Sequence, residues 1–187
     1  LDTSNLTQFT NTMNHFESAI DNWNKVFGYM LISVPSYKER KILIDNLYDE
    51  HGNGIIEKAH VNTFRKFMTS LQEITNQTLT ENTLIKNIVD KFNEKLIKYI
   101  TTHKWYQNIA MLGAIEYSYI RISSDINKYV SRYIKQENIH HYISHEILDR
   151  KHAIDLLSLI NNIDDKNSID NSLTDGINYI IDVFDEM

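Results

Sequence analysis

His145, Asp149 and His152 stand at i, i+4 and i+7 in the run HEILDRKH. At 3.6 residues per turn they share one stripe of a helix, so two imidazoles and a carboxylate can be aimed in one direction. A His–Asp–His stripe suits a metal ion, and the question is which other elements bring donors to it. Three further residues qualify by position: Glu50 at the end of one amphipathic run, His60 in the next, and Glu116 within the apolar run GAIEYSYI. Carboxylate oxygens mixed with imidazole nitrogens, and no sulfur, suit iron or manganese better than structural zinc. Six donors including three carboxylates can hold two cations, because a carboxylate bridges where an imidazole cannot.

The elements that must position these donors read as helices. The chain has 187 residues, one proline and five glycines, which leaves little punctuation for a many-stranded fold. Its length fits a single domain over residues 1–187 with a full core. The 3-4 spacing of apolar residues predicts a helix from Leu6 to Leu31. A second helix is expected from a Ser36 cap, with Glu39 completing a capping box, to Glu50 before the HGNG turn. A third is expected over Ile55–Thr75, with His60 about two turns in, and a fourth over Leu84–Ile100 after a Thr80 cap. The next spans Lys104–Ser123, followed by a shorter piece capped by Ser124 or Asp125 and ending at Ile134. A helix over Glu137–Ile163 carries the stripe, and after the polar DDKNSIDNS linker a last one covers Leu173–Glu186. The expectation is all-α, a bundle of seven to eight helices.

Composition narrows the function classes. No cysteine is present, which removes disulfides, thiolate sites and a Cys nucleophile. A net charge of −6 without a run of like charges argues against nucleic acid or a polybasic membrane contact. There is no apolar stretch of about 18 residues, and LDTSNLTQFTNT has neither the basic start nor the apolar run of a signal peptide, so a cytoplasmic protein is expected. A homodimer is the commonest assembly for such a chain.

Taken singly, an Asp, Glu or His is more often exposed than functional. His51, His140 and His141 are read that way. Tyr48, Tyr117, Tyr119 and Tyr142 read as packing residues rather than radical carriers, and Arg40, Arg121 and Arg150 as solvated charges rather than anchors for a substrate carboxylate. What lifts the other six is their placement on or beside apolar faces, where unpaired polar groups cost several kcal/mol.

Glu50, His60, Glu116 and then His145–x3–Asp149–x2–His152, together with NLYDEHGNG followed by KAHVNTF, resemble the haem-oxygenase-like di-iron oxidases and oxygenases over roughly residues 10–185. The resemblance implies a haem-oxygenase-like helical bundle binding two Fe(II) ions through these six residues, with dioxygen as co-substrate. It also implies oxidation of a small molecule by N-oxygenation, oxidative decarboxylation or carbon–carbon cleavage. The ten-residue step from Glu50 to His60 is closer to the branch acting on amino-acid-derived metabolites. Some members add a carboxylate from the first helix, for which Glu17 and Asp21 are the candidates, although the Trp23–Asn24 stretch offers an amide. Asp49 and Glu146 are expected to support ligand imidazoles. A metal-binding or partner-binding module without turnover is the alternative. Haem oxygenase chemistry would use His15 but lacks a glycine-rich distal helix, Gly113 being alone.

Overall fold

The structure, a computed structural model, describes residues 4–76 and 78–187. Its described residues form eight α-helical segments and no strand: α1 Ser4–Met13, α2 Glu17–Ser33, α3 Tyr37–Glu50, α4 His60–Thr75, α5 Thr83–Thr102, α6 Trp105–Val130, α7 His140–Ser158 and α8 Lys166–Glu186. A 3₁₀ turn at Asn14–Phe16 joins α1 to α2, so the expected first helix is continuous apart from one tightened step.

The centre of the bundle is α6. Every residue from Asn108 to Glu116 is buried, so this part of the helix is covered on all sides. It packs along both α7 and α8, while α2 lies against α5 and α3, and α4 against α1 and α7. Gly176 of α8 lets this packing close up, since a Cβ there would run into the main-chain carbonyl of Met111 on α6. The core is one connected cluster reaching from Leu6 to Val183, with Phe27, Phe64, Phe67 and Tyr142 among its largest side chains.

Several boundaries differ from expectation for physical reasons. Ser36 occupies the position before α3, but only its carbonyl is engaged, by the Arg40 amide, and its side chain makes no cap bond. His60 is the first residue of α4 rather than two turns in, because a 3₁₀ turn at Ile56–Lys58 and an extended Ala59 precede it. Asn82, not Thr80, caps α5, its Oδ1 accepting from the amides of Leu84 and Ile85. No break occurs at Ser124 or Asp125; α6 runs through, and Asp125 faces outward to pair with Arg121 at 2.7 Å. The polar linker before Leu173 is itself helical: Ile169 lies seven residues before Gly176, on the buried face that continues to Ile180 and Val183.

Candidate metal centre

Each donor is delivered by a local feature. Glu50 closes α3, and the chain then turns through Gly52, Asn53 and Gly54, all with positive φ, before α4 opens on His60. A Cβ on Gly52 would collide with the carbonyl of Ile55 and the amide of Ala59, so this return is tight as well as left-handed. It sets Oε2 of Glu50 2.7 Å from Nδ1 of His60. Glu116 comes from the fully covered part of α6, and its Oε1 accepts a hydrogen bond of 3.0 Å from the indole N–H of Trp23 on α2. On α7, Nδ1 of His145 is bonded to Oδ1 of Asp149 at 2.7 Å. One turn on, His152 has Nδ1 3.7 Å from Oε1 of Glu50 and 3.9 Å from Oε1 of Glu116.

The six predicted donors therefore converge from α3, α4, α6 and α7, and all are buried. Among the described residues, Glu50, Glu116 and His152 form the compact group, each with one donor atom within 4.8 Å of the others'. Around it, Nε2 of His60, Nε2 of His145, Nδ1 of His152 and Oδ2 of Asp149 are buried with no hydrogen-bond partner among the described residues. Such groups cost about 1–3 kcal/mol each when left unpaired. Three imidazole nitrogens and one carboxylate oxygen left bare, beside the carboxylates of Glu50 and Glu116, are a donor set that fits a metal.

The electrostatics agree. Burial, then the charges of Asp149 and Glu50, push the Glu116 carboxyl well above its ordinary value, against the opposing Trp23 bond. Asp149 is pushed up well above its own for the same reasons, burial first and Glu50 next. Burial works against the Glu50 carboxylate too, but the charge and contact of His60, with His145 and His152 behind them, outweigh it and hold Glu50 low. Burial, then His60, pushes His145 down to about 3, and burial also lowers His152. Burial works to lower His60, but the charge and contact of Glu50 outweigh it and raise it, so these two form an ion pair. Two carboxyls raised by burial and by neighbouring carboxylates, beside the imidazoles of His145 and His152 pushed toward their neutral form, are an arrangement that divalent cations relieve.

Beside these donors lies a cavity of about 60 Å³. Its apolar wall is Phe16, Ala19 and Ile20 from the first helical run, Phe92 from α5, Ile115 from α6 and Ile180 from α8. Tyr119 joins it, its ring centre 5.6 Å from that of His145.

A family model described as iron-containing redox enzyme matches residues 15–184. The chain belongs to this family. No curated protein matches it. Membership of the iron-containing redox enzymes makes the protein an oxidoreductase and points to iron as its metal.

Other expected residues fall differently. Glu17 is tied to Arg65 at 2.7 Å and Asp21 to Lys25 at 2.6 Å, both at the surface, so neither expected helix-one carboxylate reaches the centre. Asp49 does contact a donor, with Oδ2 3.3 Å from Nε2 of His152 and 2.8 Å from Nζ of Lys151. Glu146 does not; it takes the amide of Asn127. Arg40 stacks over Tyr37, Arg121 pairs with Asp125, and Arg150 is exposed, so none lines the cavity. His15 accepts from the Asn82 amide at the surface, far from a haem ligand's role. Among the described residues no helix is long and apolar enough to cross a membrane.

Two residues at the centre lie outside the sequence reading. Trp23 holds Glu116, and nothing in its spacing marks it. His141, read as a surface or satisfied polar residue, is buried at 1% exposure and lines the cavity. It lies one turn before His145 on the same stripe, a signal that extending the i, i+4 spacing backwards would have found.

Proposed function

We propose that this protein is a non-haem di-iron oxidase or oxygenase in which Glu50, His60, Glu116, His145, Asp149 and His152 hold two ferrous ions. The observation that carries this reading is the buried Glu50–Glu116–His152 group ringed by unpartnered imidazole and carboxylate atoms. Three carboxylates carry a charge of −3, which one divalent cation leaves uncompensated and two offset.

Two ferrous ions held there would give electrons to dioxygen, and the reduced dioxygen would in turn take electrons from a small substrate, which is thereby oxidised. The chain's own residues prepare the centre. Asp149 engages Nδ1 of His145 in a hydrogen bond, which leaves Nε2 of that imidazole free to bind, and Glu50 stands in ion-pair contact with Nδ1 of His60. Asp49 engages the opposite nitrogen of His152, leaving Nδ1 turned to Glu50 and Glu116. The indole of Trp23 holds one oxygen of Glu116 and so fixes its orientation. The apolar wall excludes bulk water and has room for a few water-sized molecules, enough for dioxygen and the reacting end of a substrate. Because no Arg or Lys lines this wall, the reacting end is neutral and apolar, or carries a carboxylate that only the metal can take.

Anaerobic loading with Fe(II), an iron count, and mixing with dioxygen while following oxygen uptake and visible absorbance test the reading. Two irons per chain and oxygen uptake lost in Glu116→Ala are expected. Bound iron with no oxygen uptake leaves a metal-binding module, and iron near zero, unchanged by His152→Ala, overturns the centre.

A further inference from the structure

The first helix does not supply a seventh donor, yet the cavity has one on α7. Thr63 donates its hydroxyl proton to the carbonyl of His60 at 2.9 Å. With that proton turned to the carbonyl, its oxygen is placed to accept from the Nδ1–H of His141, 2.9 Å away. That bond fixes the tautomer of His141 and places the lone pair on Nε2, which is buried and has no partner among the described residues. An imidazole with one nitrogen hydrogen-bonded to a neighbour and the other bare beside buried carboxylates and imidazoles is the form a metal-binding histidine takes.

Position agrees with chemistry. The ring centres of His141 and His145 are 4.4 Å apart, and those of His60 and His145 are also 4.4 Å apart, so His145 stands between two other imidazoles. With a metal–nitrogen bond of about 2.1 Å, two imidazoles at right angles on one ion have ring centres roughly 4.6 Å apart. His141, His145, Asp149 and His152 then form one continuous buried stripe on α7.

We propose that His141 is a further ligand of the metal centre, binding through Nε2, with Thr63 as the residue that orients it. This rests on the metal centre proposed above. It gives one metal position three imidazoles, His60, His141 and His145, and leaves Glu50, Glu116, Asp149 and His152 as the carboxylate-rich remainder.

Cobalt(II) is the probe, followed by proton NMR of the histidine N–H groups shifted by the paramagnetic ion. Each ligated imidazole contributes one such signal. The wild-type protein is expected to show four, for His60, His141, His145 and His152. His141→Gln should lose one signal and bind cobalt ten- to a hundredfold more weakly at one position. Cobalt bound with three shifted N–H signals overturns the role of His141 and leaves the metal centre standing. No cobalt bound overturns both. The wild-type count decides the matter even where the variant fails to fold.

Discussion

Replacing Trp23 by Phe keeps an aromatic ring beside Phe27, from which it stands 5.7 Å, and removes a single atom's donation to Glu116. A hydrogen bond to a charged, buried acceptor contributes about 1.5–3 kcal/mol, which corresponds to roughly ten- to a hundredfold in a binding constant. The indole is also the one contact that draws the Glu116 carboxyl down, against burial and the charges of Asp149 and Glu50. Without it the carboxyl holds its proton to higher pH, and an incoming cation must displace that proton. The expected result is an anaerobic Fe(II) or cobalt affinity ten- to a hundredfold weaker in Trp23→Phe, with a larger deficit near pH 6 than near pH 8. Titration calorimetry at the two pH values measures both. An affinity within about twofold of wild type at each would refute the claim that Trp23 tunes a metal-binding carboxylate.

Glu116→Gln removes the carboxylate charge that burial penalises, so the metal-free variant should melt a few °C above wild type at neutral pH while its metal capacity falls, as calorimetry with and without iron would show. In the metal-free protein His145 is neutral down to about pH 3, whereas in the unfolded chain it takes a proton near pH 6.5. Its contribution is thus complete above about pH 6.5 and falls as pH drops, by about 2 kcal/mol at about pH 5. Urea unfolding of wild type and His145→Asn across this range should diverge in that direction. Gly52→Ala puts a Cβ on a left-handed residue against the Ile55 carbonyl; about 1–3 kcal/mol of lost stability and weaker metal binding are expected from denaturation and titration.

The helical bundle was readable because the apolar spacing marks the helices, and the His145–Asp149–His152 stripe because it follows the turn of α7, whereas Glu50, His60 and Glu116 joined it through the resemblance to a family pattern. The rest depended on contacts between elements. Asp125 resembles a cap in sequence, but an outward-facing residue on α6 finds Arg121 one turn away, so the helix continues. Ile169 hides among polar neighbours, and only the face it shares with Gly176 and Ile180 shows that α8 begins early. Glu17 and Asp21 had the chemistry of a ligand but the wrong side of α2, where Arg65 and Lys25 hold them. His141 differs from the equally plain His140 only in which way the first turn of α7 points it, inward to the cavity.

The left-handed turn after α3 also bears on the order in which the centre is built. Glu50 and His60 are ten residues apart, whereas Glu50 and Glu116 are sixty-six apart. Closing the longer loop costs about 1.7 kcal/mol more in chain entropy than closing the shorter one. The α3–α4 corner can thus form from local sequence alone, and the donors of α7 are already fixed relative to one another by their own helix. Two short-range fragments, each with its donors already in place, are left to meet across α6, which is a smaller entropic problem than gathering six separate side chains.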